Sequence, residues 1–104
     1  MKSRGRPSKL DPEKVRTIVQ TLINNPDGMW IRQIAKQTSM HPTTATKYIH
    51  GVLFPMVDIQ ELSSERGKTL LKVIKLRPMV IERLEQGQKI GEILRFLELL
   101  NKSL

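Results

Sequence analysis

The sequence contains no cysteine, which excludes disulfide bonds, thiolate metal sites and a cysteine nucleophile. Its two histidines, His41 and His50, lie nine positions apart, at opposite ends of one predicted helix, and we predict no bound metal or other cofactor. No apolar run approaches the roughly 20 residues that span a bilayer, and the first residues lack the apolar stretch of a signal peptide. We therefore expect a cytoplasmic, nucleoid-associated protein without a membrane partner.

Features that many enzymes need are also missing. The sequence has no glycine-rich phosphate loop and no carboxylate pair that its pattern places in an apolar pocket. One Trp, one Tyr and two Phe are too few for an aromatic platform that stacks single-stranded bases. A chain of 104 residues makes one domain with a modest core. We predict that the protein is not an enzyme, and the pattern indicates no small-molecule ligand.

Positive charge is concentrated in the first half of the chain. Eighteen Lys and Arg residues against ten Asp and Glu residues give a net charge of +8. No acidic residue occurs between Asp27 and Asp58, whereas Arg32, Lys36 and Lys47 lie in that interval. Such a distribution favours a polyanionic partner, which could be DNA, RNA or an acidic membrane surface.

The hydrophobic pattern predicts three helices in the first half. Residues 1–10 are a basic arm with too little apolar surface to fold alone. Asp11-Pro12-Glu13 has the chemistry of a helix start, and the turn residues at 24–28 should end that helix. The short apolar stretch 29–31 should form a brief strand that leads directly into a helix, on which Ile31, Ile34, Ala35 and Thr38 share one face. The next helix should cover about 42–53. We expect it to be capped by His41, to bury Ala45, Ile49 and Val52, and to have Tyr48 and Leu53 on the flanks of that stripe.

The second half is predicted to form a hairpin followed by two helices. Two β-leaning runs, 56–62 and 69–76, flank a turn that carries Arg66 and Lys68. In the last helix, about 90–102, apolar residues cover an arc of roughly 220°, although a surface helix needs only about 100°. We expect the part of this apolar arc that its own domain leaves uncovered to pack against a partner chain. The residues expected at that interface are Ile93, Phe96, Leu97 and Leu100. A groove of the same domain is the alternative.

Residues 11–76 resemble a winged helix-turn-helix domain in this order of elements. The stretch 31–49, IRQIAKQTSMHPTTATKYI, is similar to the helix-turn-helix segment of bacterial and archaeal transcription regulators. It has a small residue at Ala35, an apolar residue at Met40, and a cap followed by proline at His41-Pro42. The sequence departs from the pattern at Ser39, where glycine is common, and at His41, where Ser or Thr is usual.

The resemblance implies that the helix at 42–53 enters the major groove of double-stranded DNA. Short threonine side chains permit close approach to bases, and Lys47 can reach a guanine edge or a phosphate. The expected DNA contacts on the two helices are Arg32, Pro42, Thr43, Thr44, Thr46, Lys47 and His50.

Two further segments carry expected DNA contacts. Arg66 and Lys68 resemble the wing of this fold, which lies on the backbone or in the minor groove. Arg4-Gly5-Arg6-Pro7 resembles the core of an AT-hook, in which glycine lets the backbone lie deep in a narrow minor groove while Arg4 and Arg6 follow its negative potential.

The sequence thus predicts an α+β, mainly α, winged helix-turn-helix protein with an additional C-terminal helical dimerisation segment. Its parts are the basic arm at 1–10, the DNA-binding domain at 11–76 and the dimerisation segment at 77–104. The expected function is sequence-specific DNA binding by a homodimer that regulates transcription. Two alternatives remain open: an architectural or plasmid-partition protein that coats DNA, and a winged-helix module that docks another protein.

Overall fold

The computed structural model describes residues 11–63, 66–67 and 69–103. Among these residues, five helices and three strands follow one another, with a short 3₁₀ turn at Phe54–Met56. The helices are α1 Pro12–Ile23, α2 Ile31–Thr38, α3 Pro42–Gly51, α4 Pro78–Glu85 and α5 Ile90–Ser103. The strands are β1 Met29–Trp30, β2 Val57–Ser63 and β3 Thr69–Leu76.

Local chemistry accounts for where the first helix begins and ends. The Asp11 carboxylate accepts the backbone N–H of Glu13 at 2.9 Å, and Pro12 occupies the first helical position. After α1, the backbone N–H of Gly28 donates to the Asn25 carbonyl at 3.0 Å in the turn that leads to β1. Both boundaries are those that the sequence predicts.

The three strands form one antiparallel sheet in the order β1-β3-β2. Met29 pairs with Ile74, and Ile59 pairs with Ile74 from the other side. Alternation along the strands turns Met29 and Ile74 into the core, whereas Trp30, one residue later, is 47% exposed. The two-residue β1 thus ties the connection between α1 and α2 to the hairpin.

One hydrophobic cluster joins every helix to the sheet. Ile18 on α1, Ile34 on α2 and Ile49 on α3 are fully buried, as are Val80 on α4 and Ile93 on α5. The helical segment after the hairpin therefore shares its core with the helices before it. The fold is α+β and mainly helical, which confirms the predicted fold class.

The end of α3 differs from the prediction. The helix ends at Gly51, because the N–H groups of Val52 and Leu53 both donate to the Tyr48 carbonyl, at 2.9 and 3.0 Å. The 3₁₀ turn that follows directs Leu53 into the core, where it is fully buried, while Val52 is only half-buried. Tyr48 is also buried, at 6% exposure, instead of flanking the apolar stripe.

The structure also corrects two of the four residues assigned to a partner-facing surface. Ile93 is fully buried and Leu97 is 9% exposed, because both pack into the core of their own chain. Phe96 is half-buried, with the Arg83 guanidinium 4.4 Å from the centre of its ring. The exposed apolar side chains of α5 are Leu99 and Leu100.

No helix in the described part of the chain is long and apolar enough to cross a membrane.

Gly28 provides a test of the turn that connects α1 to β1. Its φ of +109° disfavours L side chains, and a Cβ there would overlap Cγ1 of Val73. We expect Gly28→Ala to lower the free energy of unfolding by about 2–3 kcal/mol, from backbone strain together with overpacking. Urea denaturation followed by circular dichroism measures this change.

Gly51→Ala is the matched control for Gly28→Ala. Gly51 is helical, and a Cβ there would meet nothing within 4 Å. This substitution should stabilise the protein by about 0.5–1 kcal/mol. Equal changes in the free energy of unfolding for the two substitutions would contradict a specific steric constraint at Gly28.

Candidate nucleic-acid interface

A tight turn at Ser39 connects α2 to α3. Ser39 has φ 58° and ψ 37°, the left-handed conformation, and is the one non-glycine residue with positive φ in the described part of the chain. The Met40 N–H donates to the Ala35 carbonyl at 2.9 Å, and the Ser39 N–H donates to the Lys36 carbonyl at 3.3 Å. These two bonds form a Schellman motif, which ends α2 and fixes the direction in which the chain enters α3.

The first turn of α3 is capped by a histidine. His41 is extended, and its Nδ1 accepts the backbone N–H of Thr43 at 3.1 Å. Pro42 occupies the first helical position, where its missing N–H costs nothing. The predicted roles of His41 and Pro42 at the start of the helix are thereby confirmed.

The two sides of α3 differ sharply in burial. Ala45 and Ile49 are fully buried, and Tyr48 joins them in the core. The opposite side is the outer face of α3, and it combines exposed with half-buried side chains. Its exposed members are Pro42, Thr43, Lys47 and His50, and its half-buried members are Thr44 and Thr46.

The hydroxyl group of Thr46 already takes part in a hydrogen bond within α3. Its hydroxyl donates to the Pro42 carbonyl at 2.8 Å, within the same helix. Its oxygen can still accept a hydrogen bond, and its methyl group can contact a thymine methyl, but its proton is already used. The structure therefore leaves Thr43 as the exposed threonine of this helix.

Three cations on α2 and α3 form no ion pair in the described part of the chain. The three ion pairs among the described residues lie elsewhere: Arg16–Glu13 at 3.2 Å, Lys72–Glu61 at 3.8 Å and Arg77–Asp58 at 3.6 Å. Within that part of the chain, Arg32, Lys36 and Lys47 are exposed and form no ion pair. Helices α2 and α3 thus carry exposed cations whose charge no ion pair with a described acidic residue neutralises.

Other predicted contacts lie on the wing or beyond the described residues. The hairpin of β2 and β3 occupies the position predicted for the wing, and Arg66 is exposed in its turn beside Gly67, which has φ +84°. Arg4, Arg6 and Lys68 lie outside the described residues.

The structure also shows features that the sequence analysis missed. An open groove of about 1140 Å³ lies between α1, the end of α3, α4 and α5. Its apolar lining comes from Val15, Val52, Leu84, Ile90, Leu94 and Leu99 among others. A second, smaller recess beside the exposed Trp30 includes Arg32 and Lys72. Both are formed by residues distant in sequence, so no local signal predicts them.

No group of three His, Asp or Glu side chains in the described part of the chain could hold a metal ion.

Comparison with known proteins gives similarity at the level of fold. No family model matches the sequence. A search of curated proteins found no match. Among solved structures, a possible transcriptional regulator from Methanosarcina mazei has a TM-score of 0.54 at 12% identity, covering 89% of this chain and 78% of that one.

Two other solved structures show the same similarity. A mutant of ZitR from Lactococcus lactis has a TM-score of 0.53 at 12% identity, covering all of this chain and 68% of that one. A probable transcriptional regulator from Pseudomonas aeruginosa has a TM-score of 0.50 at 14% identity, covering 94% of this chain and 81% of that one. The TM-scores and coverages indicate a shared fold, and at 12–14% identity the similarity extends to the fold alone.

The conformation of Ser39 leads to a stability prediction. Glycine adopts left-handed backbone angles without the steric cost that a Cβ brings. We expect Ser39→Gly to raise the free energy of unfolding by about 0.5–1 kcal/mol, whereas Ser39→Val should lower it, because β-branched residues are outliers at positive φ. Thermal and urea unfolding of the three proteins measure both changes. Stabilisation by Val would contradict this turn geometry.

Proposed function

We propose that the protein is a transcription regulator that binds double-stranded DNA with α3 in the major groove. The observation that supports this most strongly is the outer face of α3, which exposes Thr43, Lys47 and His50 and contains no acidic residue. Arg32 and Lys36 on α2 are exposed as well and, like Lys47, form no ion pair in the described part of the chain. A helix about 10–12 Å across with its side chains fits a major groove about 12 Å wide. The fold shared with solved transcriptional regulators supports the same conclusion.

Burial and hydrogen bonding assign different tasks to the side chains of α3. Thr43 lies in the first turn and is exposed, so it is placed to read a base edge. Lys47, one turn later, reaches a guanine or a phosphate, and His50 near the end of the helix contacts a phosphate. Arg32 on α2 contacts the backbone beside them.

We propose further that the protein is a homodimer held together by α5 and the groove beside it. Leu99 and Leu100 are 58% and 46% exposed, and the groove offers an apolar surface on the same side of the chain that includes Leu99. Lys89 and Arg95 also line the groove, while α5 carries an exposed Glu98. A second α5 supplies both leucines and a carboxylate, which matches an apolar groove lined by three cations, Arg16, Lys89 and Arg95, against one carboxylate, Glu92.

Lys47→Ala tests DNA binding by α3. On a duplex selected from a random library by the wild-type protein, this variant should bind roughly tenfold more weakly, a loss within the ~1–3 kcal/mol typical of a base contact. Lys14→Ala removes the same charge from the exposed side of α1 and should leave affinity within about twofold. Fluorescence anisotropy measures both, and equal losses would contradict a specific role for Lys47.

Salt dependence and footprinting separate this function from its alternatives. Six to eight phosphate contacts give a slope of roughly −5 to −7 in a plot of log affinity against log salt. A sharply protected palindrome supports a regulator, whereas uniform protection indicates a DNA-coating protein. The absence of duplex binding at low salt would leave only the module that docks another protein.

Leu100→Glu tests the dimer. A charge at this exposed position leaves the core intact but opposes burial against a second chain, so sedimentation equilibrium should give the 12.0 kDa mass of one chain. Leu62→Glu, at a leucine 51% exposed on β2, is the control and should retain the dimer mass. A wild-type protein that already sediments as one chain contradicts the proposal.

A further inference from the structure

The smaller recess opens where β1 ends and α2 begins, beside the hairpin. Its volume is about 460 Å³, and its lining residues are Trp30, Ile31, Arg32, Leu71 and Lys72. Strand β1 stops at Trp30, which pairs with Val73, because α2 starts at the next residue. The part of β3 nearer the hairpin turn therefore has no β1 residue beside it, and the recess lies at this opening.

The apolar part of the recess is held in place by the backbone. The N–H of Trp30 donates to Oε1 of Gln33 at 3.0 Å, while Trp30 also pairs with Val73 in the sheet. Leu71 shares a sheet face with Val73 and lies diagonally across from Trp30, within reach of an aromatic side chain. Trp30 is exposed and Leu71 is half-buried. A ligand that packs against the indole therefore does not have to order the chain first.

The polar part of the recess is cationic. Arg32 is exposed and forms no ion pair in the described part of the chain. Lys72 lies directly opposite Glu61 in the hairpin, with its Nζ 3.8 Å from the carboxylate. This distance is longer than a hydrogen bond of about 2.7–3.2 Å, and such exposed ion pairs contribute little, so Lys72 can turn to another anion. The lining thus combines an apolar surface with two cations and includes no acidic residue.

We propose that this recess binds one strand of the DNA backbone, with Arg32 and Lys72 on a phosphate and the Trp30 indole against the adjoining deoxyribose. The inference rests on the proposed function. A backbone strand alternates anionic phosphates with sugars, and guanidinium and ammonium groups beside an indole offer a partner for each.

The position of the recess favours DNA over an acidic protein segment. Arg32 lies in the first turn of α2, and the first helix of a helix-turn-helix crosses the DNA backbone while the second enters the major groove. On its other side the recess is bordered by β3, the strand that leads from the hairpin turn into the sheet. A strand of DNA held there runs from α2 toward the hairpin. Such a contact adds affinity and fixes orientation without reading sequence.

Trp30 provides a direct readout, because it is the one tryptophan of the chain and its fluorescence reports on this recess alone. The full-length protein is titrated with the duplex selected by the wild type, and quenching by acrylamide, which is neutral and not repelled by DNA, is compared between free and bound protein. We expect the quenching constant to fall at least about twofold on binding, because the indole loses exposed surface to the interface.

Lys72→Gln tests the phosphate contact. This variant should bind more weakly and lower the slope of log affinity against log salt by about 0.9, the change expected for one phosphate contact. Lys14→Gln removes the same charge from an exposed position on α1 and should leave the slope unchanged. Anisotropy titrations over a range of salt concentrations measure both.

Trp30→Ala tests the apolar contact. It removes no charge, so affinity should fall about threefold or more at every salt concentration while the slope stays that of the wild type. Phe54→Ala truncates another exposed aromatic side chain, outside the recess, and should keep affinity within about twofold. Urea unfolding of each variant checks that it is folded.

The outcomes separate this inference from the function on which it rests. If the duplex binds while acrylamide quenching is unchanged, or while Lys72→Gln keeps the wild-type slope, the recess contact is overturned and DNA binding by α3 stands. Protection of Trp30 by poly-glutamate and not by the duplex would also overturn it and would assign the recess to an acidic protein segment. Absence of duplex binding at low salt defeats the proposed function, and this inference with it.

Discussion

The division of α3 into a buried side and an outer face is the constraint on which the arrangement depends. Ala45 and Ile49 are fully buried, and their fixed position in the core, where α3 packs against α2, determines which side chains face outward. A rotation of this helix by one residue, about 100°, would place Thr46 or Lys47 in the apolar core. The free energy cost of burying an unpaired charge therefore keeps the outer face in one orientation.

Much of this arrangement could be predicted, because its signals are local. Asp11-Pro12 and His41-Pro42 start helices by their own chemistry, and both do so in the structure. The two-residue β1 is also recovered, since it is a short apolar stretch between a turn and a helix. These are cases in which a few neighbouring residues determine the conformation.

The failures of prediction occur where distant parts of the chain meet. The apolar arc of α5 is wide enough to suggest a partner, but periodicity alone does not show that the same chain covers Ile93 and Leu97. The burial of Leu53 depends on the 3₁₀ turn after α3, and the contact between Asp11 and Tyr48 spans α1 and α3. The site was predicted as a set of residues on α3, while its connections to the remainder of the domain were not.

The small sheet has one long open edge, because β2 is its outer strand and pairs only with β3 among the described strands. Unpaired edges can recruit strands from other molecules and promote aggregation. Here the edge carries Asp58 and Glu61, and its pairing is interrupted by an irregularity between Leu62 and Ser63. Charge and irregularity both oppose edge-to-edge association of this strand with a strand of another molecule.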